Sequence, residues 1–151
     1  SYDEYFFVLS NVIPATDGDA LWIRTSTNGG SGYDSGSSDY EYAVSSALQD
    51  ATVSGLGSSG AAQIVLTGSV GSAAGEDGIS GRVYLAGPHL AKKTQLNWKL
   101  TYEDQQSGGR FVSVAGGGQR SSSADVDAMQ FLFSSGTLES GTITMYGIKN
   151  L

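Results

Sequence analysis

The stretch Thr94–Glu103, TQLNWKLTYE, constrains the fold more than any other in this chain. Leu96, Trp98, Leu100 and Tyr102 fall on one face, and Gln95, Asn97, Lys99, Thr101 and Glu103 fall on the other. Successive side chains of a strand point to opposite sides, so strict alternation marks a strand with one dry and one wet face. Weaker versions of the pattern recur along the chain. Tyr2–Leu9 is apolar on both faces and reads as a strand buried on both sides, either central or under a partner subunit. Leu21–Thr27, Asp39–Val44, Gln63–Thr67, Ile79–Ala86, Arg110–Ala115, Asp125–Phe133 and Gly141–Ile148 also read as strands. In the last of these, Gly147 suggests a bulge or a close contact.

Gly, Ser, Asn and Asp punctuate these segments, as turns require. Asn28-Gly29-Gly30 and Ser107-Gly108-Gly109 are the strongest such signals. Gly55–Gly60 reads as a flexible connector, Gly68–Gly78 as a loop and Gly116–Ser123 as a polar loop; Ala43–Ala51 has a weak helical pattern. About nine short strands and no long helix predict an all-β protein, an antiparallel β-sandwich that is jelly-roll-like. Apolar strands at both chain ends predict that the first and last strands lie inside the sheets. With 151 residues, the chain is expected to form one domain, 1–151, as a whole protein or as part of a longer one.

Charge narrows the partners. The net charge is −7, and Lys92-Lys93 is the only adjacent basic pair. Phosphate backbones call for a basic patch, so nucleic acid is not an expected partner. No apolar run is long enough for a membrane-spanning helix, so membrane insertion is not expected either. The opening SYDEYFFVL lacks the basic start of a signal peptide. There is no cysteine, hence no disulfide and no thiolate chemistry.

The densest run of Asp, Asn, Gly, Ser and Tyr is Asn11–Tyr42. Asp17, Asp19, Asp34 and Asp39, with Asn28, are hard oxygen donors on neighbouring loops, and calcium is the metal such donors suit. The same residues form ordinary turns, which is the first reading; no other cofactor is indicated. Trp22, Arg24, Tyr33, Tyr40 and Tyr42 are candidate ligand-binding residues, and Trp22 and Tyr33 are the better surface candidates. Tyr84 and Trp98 are further aromatic platforms, although Trp98 aligns with Leu96 and Leu100 as core. Aromatic faces among neutral polar neighbours suit a neutral glycan.

No catalytic residue is assigned, and the chain is not expected to be an enzyme. Gly55–Gly60 has GxGxxG spacing, but the dinucleotide mechanism needs a strand before it and a helix after it. His89 is the single histidine, and no GxSxG accompanies it. Asp39 with Glu41, and Asp125 with Asp127, have the spacing of two carboxylates on one strand face. A glycan-cleaving site would need such a pair, but acidic strand ends also protect sheet edges.

Two runs carry a resemblance. At the N-terminal side it rests on Pro14-Ala15-Thr16-Asp17-Gly18, Arg24-Thr25-Ser26, Gly29-Gly30 and Asp39-Tyr40. At the C-terminal side it rests on Ser134-Ser135-Gly136, Ser140-Gly141 and Tyr146-Gly147-Ile148. In order and spacing these resemble a domain recurring in tailed-bacteriophage virion proteins, in tail fibres, spikes or head fibres. The middle, roughly 54–123, carries none of it. The resemblance implies a jelly-roll-like β-sandwich on the virion surface, made in the bacterial host cytoplasm. It implies a homo-oligomer, with a trimer expected, contacts with other virion proteins, and attachment to a host cell-surface polysaccharide. The alternative it leaves open is a structural virion protein, a capsid decoration or tail-assembly domain, without a receptor.

Overall fold

The structure, a computed structural model, describes residues 2–106 and 108–149. Ser107, the first residue of the expected Ser107-Gly108-Gly109 turn, lies outside them. The strands in chain order are β1 (Glu4–Pro14), β2 (Leu21–Ser26), β3 (Tyr40–Leu48), β4 (Val53–Ala61), β5 (Ile64–Val65), β6 (Ile79–Ala86), β7 (Gln95–Glu103), β8 (Phe111–Arg120), β9 (Ala128–Phe133) and β10 (Leu138–Ile148). They form a seven-stranded sheet, β10-β1-β6-β7-β8-β3-β4, and a three-stranded sheet, β5-β2-β9. All pairings between these strands are antiparallel. The chain leaves the large sheet for β2, β5 and β9, and returns after each. The expected all-β antiparallel sandwich is therefore the fold, with ten strands among the described residues instead of about nine.

The core fills the space between the sheets. The inner face of β7 supplies Leu96, Trp98, Leu100 and Tyr102, all buried as their alternation predicts. Leu21 and Ile23 of β2, Ile64 and Phe133 meet them from the small sheet. Each such aliphatic side chain stabilises the fold by about 1.5–3 kcal/mol on burial. Two polar anchors span the layers. The Trp98 indole Nε1 donates to the Leu66 carbonyl at 3.0 Å, and the Tyr102 hydroxyl accepts the Gly68 amide at 3.0 Å. Burial pushes the Tyr102 phenol pKa up.

Several expectations need correction. The Gly55–Gly60 connector is part of strand β4, paired with β3 from Tyr40↔Ala61 to Ala47↔Val53. Ala43–Ala51 is not helical, because β3 continues to Leu48 with a partner strand on each side. Gly116–Ser123 is not all loop, because β8 runs on to Arg120. Glycine is what lets it pass there: a Cβ on Gly116 would lie 2.3 Å from the Trp98 ring, and one on Gly118 would lie 3.0 Å from Ile64. Finally, β10 is an edge strand with Met145 and Tyr146 more than half exposed, so the last strand does not lie inside a sheet.

Strand β1 lies inside the sheet, between β10 and β6, yet only one face meets the core. Phe7 and Leu9 are buried, whereas Val8 on the other face is exposed. Pro14 is its last residue, and proline has no amide with which to continue the ladder. The strand bends at Asn11, whose φ is +50°; its side-chain amide donates to the Asp77 carbonyl at 3.0 Å. Asparagine tolerates this left-handed region better than other non-glycine residues. At the far end, a Cβ on Gly147 would lie 2.2 Å from the Tyr2 ring, which is the close contact the sequence suggests.

Candidate functional site

Within the Asn11–Tyr42 stretch, the turn after β2 is closed by local hydrogen bonds. Ser26 Oγ accepts the amides of Asn28 (3.2 Å) and Gly30 (3.1 Å), and Asn28 Oδ1 accepts the Gly32 amide at 3.0 Å. Gly29 and Gly30 take φ of +70° and +79°, which the turn requires. Tyr40 is fully buried. Its hydroxyl accepts the Thr25 amide at 2.8 Å and donates to the Asp34 carbonyl at 3.0 Å, and burial raises its pKa. The tyrosine thus ties β2 to the loop that follows it and has no exposed face to offer a ligand.

The four candidate metal ligands serve four separate contacts. Asp17 accepts the Ser72 amide at 3.0 Å. Buried Asp19 accepts the Ser134 and Ser135 hydroxyls, each at 2.9 Å to Oδ1. Asp34 is paired with Arg120, whose Nε lies 3.1 Å away and whose Nη2 lies closer still. Asp39 accepts the Gly36 amide at 2.6 Å. Among the described residues, no three acidic or histidine side chains are placed to hold a metal ion.

The ligand candidates are also dispersed. Trp22 and Arg24 share the outer face of the small sheet, half-buried, and Arg24 Nε donates to the Ala62 carbonyl at 3.2 Å. Tyr33 is half-buried in the loop beyond them, its hydroxyl over Gly30. Tyr42 belongs to the other sheet, packs against the core, and has its pKa raised by burial. His89 is exposed, with Nε2 3.9 Å from Asp3 Oδ1, and Asp125 and Asp127 are exposed.

A different surface has the form of a site. On the outer face of the large sheet, one register line crosses all seven strands: Tyr146, Phe6, Tyr84, Asn97, Gly117, Ala43, Gly57. It begins with three aromatic residues and ends with three of the smallest. The drop in height beyond Tyr84 and Asn97 makes a shallow groove of about 700 Å³, lined by Tyr84, Asn97, Gln95, Gln119, Glu41 and Gly117 among others.

The groove walls are held in place. The Tyr84 ring packs on Phe6 with centroids 4.9 Å apart. A hydrogen bond with the Glu4 carboxylate, and secondarily burial, pushes the Tyr84 phenol pKa up. Along the next register line, Gln95 Nε2 donates to Gln119 Oε1 at 3.2 Å, and Gln119 Nε2 donates to Glu41 Oε2 at 2.7 Å. Lys93 Nζ stands 3.8 Å from Glu41 Oε1. The arrangement offers an aromatic platform beside fixed amides that can both donate and accept.

Of these residues, the sequence singles out Tyr84 as an aromatic platform and Glu41 only in a carboxylate pair. The signal for Gln95 and Asn97 is the wet face of Thr94–Glu103, where they alternate with the core residues. Gln119 and Gly117 fall in the segment that reads as loop, which hides them. Compared with protein-family models, with curated proteins and with solved structures, the chain matches none.

Proposed function

We propose that this domain binds a glycan in the groove on the outer face of its large sheet, as part of a bacteriophage virion surface protein that attaches to host polysaccharide. The observation that carries the binding reading is the fixed Tyr84 ring beside Asn97 and the Gln95–Gln119–Glu41 chain. An aromatic face carries negative potential, which suits the C–H face of a sugar. Amide side chains match hydroxyls, which both donate and accept. A shallow open groove gives weak single-site binding, and a homo-oligomer, expected as a trimer, would multiply it by avidity. The virion placement rests on the resemblance of the two chain ends, not on the groove.

The test is a glycan array with the wild-type domain, Tyr84→Ala and Trp22→Ala. Binding to defined saccharides, weakened about tenfold in Tyr84→Ala and kept in Trp22→Ala, is expected. A wild-type domain that binds no saccharide would overturn the reading. The second reading, a structural virion protein, is favoured by one observation: Tyr2, Leu138, Met145 and Tyr146, at or beside the β10 edge, are all 44% exposed or more. Light scattering that gives an oligomer, together with a silent array, would move the weight there.

A further inference from the structure

Beside the proposed groove lies a patch that the linear sequence does not display. One register line from the Tyr84↔Asn97 pair of β6 and β7 stands Arg82↔Lys99, two cations directly opposite each other on the same outer face. Both are exposed. Like charges in this position destabilise a sheet. The neighbours that could compensate do not. Val8 lies across β1 from Arg82, Ala115 lies across β8 from Lys99, and Ser80 and Thr101 form the next register pair. The carboxylates on this face, Glu4, Glu41 and Glu103, are two or more register lines away. The described ion pairs join Asp3 to His89, Glu41 to Lys93, Asp104 to Arg110 and Asp34 to Arg120; neither Arg82 nor Lys99 takes part. In a chain of net charge −7, two adjacent uncompensated cations go against the balance of the whole. They border an open depression of about 470 Å³, formed with Val8, Ser80 and Thr101.

We infer that the groove takes an acidic glycan, whose anionic substituent lies between Arg82 and Lys99 while its ring rests on Tyr84. This rests on the glycan-binding reading above and replaces the neutral glycan expected from the sequence. Two residues along a strand span about 7 Å, so one sugar ring and an anionic group attached to it, or to the next ring, can reach both register lines. Arginine offers a planar fork that matches two oxygens of a carboxylate, sulfate or phosphate, and Lys99 adds a second charge from the facing strand. The shared chemistry is an oxyanion carried on a saccharide.

The experiment is an array of neutral, carboxylated, sulfated and phosphorylated glycans, with polyglutamate as a non-sugar polyanion. It is probed with wild type, Tyr84→Ala and the double variant Arg82→Gln/Lys99→Gln. Selective binding of carboxylated glycans, or of sulfated or phosphorylated ones, is expected, and the class bound identifies the oxyanion. The double variant should weaken that binding about tenfold or more, and the wild-type signal should fall with added salt. Without ligand, the double variant should melt at or above the wild-type temperature, because a repulsion has been removed. Neutral glycans bound equally by wild type and double variant would overturn the acidic-ligand inference and leave the glycan reading standing. Polyglutamate bound as well as the glycans, with Tyr84→Ala neutral, would overturn both in favour of plain charge attraction. A silent array would overturn both as well.

Discussion

The loops of the Asn11–Tyr42 stretch and the outer face of the large sheet are both rich in polar residues, and they use them in opposite ways. In the loops, Ser26, Asn28, Asp39 and Tyr40 bond to partners nearby in sequence, Asp17, Asp19 and Asp34 bond to Ser72, Ser134 with Ser135, and Arg120, and the result is a closed structure. On the sheet, Tyr84, Asn97, Arg82 and Lys99 come together from β6 and β7, and the amides and acid of the neighbouring line come from β7, β8 and β3. A polar residue that a turn already satisfies has little left for a ligand. A polar residue fixed in a ladder, with its head group turned to water, keeps that capacity.

Two adjacent glycines give the largest test of this contrast. A Cβ on Gly116 would strike the Trp98 ring at 2.3 Å and the Ala43 carbonyl at 2.9 Å. Gly116→Val should therefore destabilise the fold by about 3 kcal/mol, since the backbone and a buried ring must both shift. Gly117 points the other way: the nearest atom to its Cβ, the Leu96 carbonyl oxygen, would be 3.7 Å off. Gly117→Val should fold as well as wild type, because strands favour branched residues, but it would fill the groove floor and abolish binding. Denaturant melts and a glycan titration of the pair separate the two effects. Equal stability of the two variants would break the distinction between the faces.

Tyr40 and Tyr84 give the next test. Tyr40→Phe leaves the buried Thr25 amide without its 2.8 Å partner and should cost about 1–2 kcal/mol of stability, with no change in affinity. Tyr84→Ala should do the reverse. Its ring is half-buried on the outer face, so the melt should move little while affinity falls about tenfold, near 1.4 kcal/mol. A Tyr40→Phe variant that folds normally and loses binding would return the site to the loops.

The contrast also explains what could be read in the chain. Period-two segments with a dry face were legible: Ile79–Ala86 matches β6 residue for residue, and Leu96, Trp98, Leu100 and Tyr102 are all core. Strands β4 and the second half of β8 were not, because Gly55, Gly57 and Gly116–Gly118 carry no side-chain pattern. Their strand character comes from the strands they pair with, and at Gly57, Gly116 and Gly118 a carbonyl, a ring or an aliphatic side chain crowds the space a Cβ would need. The edge position of β10 was hidden for a related reason, since alternation shows a strand but not what lies beside it. The groove was hidden more deeply. Arg82 and Lys99 are scattered cations in the sequence, and only the register of β6 against β7 makes them neighbours. Tyr84 and the wet face of Gln95 and Asn97 were visible as residues but not as a site.

The smallest expected effect concerns another closed polar pair, Asp104 with Arg110. Asp104 is buried, and burial alone would raise its pKa. The Arg110 guanidinium, at 2.6 Å and 3.0 Å from Oδ2, and the amides of Gln106 and Arg110, each at 3.1 Å from Oδ1, outweigh that and hold the pKa below the usual carboxylate value. A carboxyl whose folded pKa is depressed contributes stability that is complete above its unfolded value. That contribution drains away as pH falls through the folded value, so wild-type melting temperatures should drop on acidification below about pH 4. Asp104→Asn keeps an oxygen for the two amides but has no charge to lose, so its melting curve should be flatter in that window. Asp50, lowered by its hydrogen bonds with Thr52, leaves a residual slope common to both proteins, and the difference between them isolates Asp104. Glycan affinity measured at neutral pH should be the same for both, because this pair lies outside the groove and its polar atoms are already matched. An acid slope as steep in Asp104→Asn as in wild type would mean that protonation of Asp104 contributes nothing to the acid loss of stability.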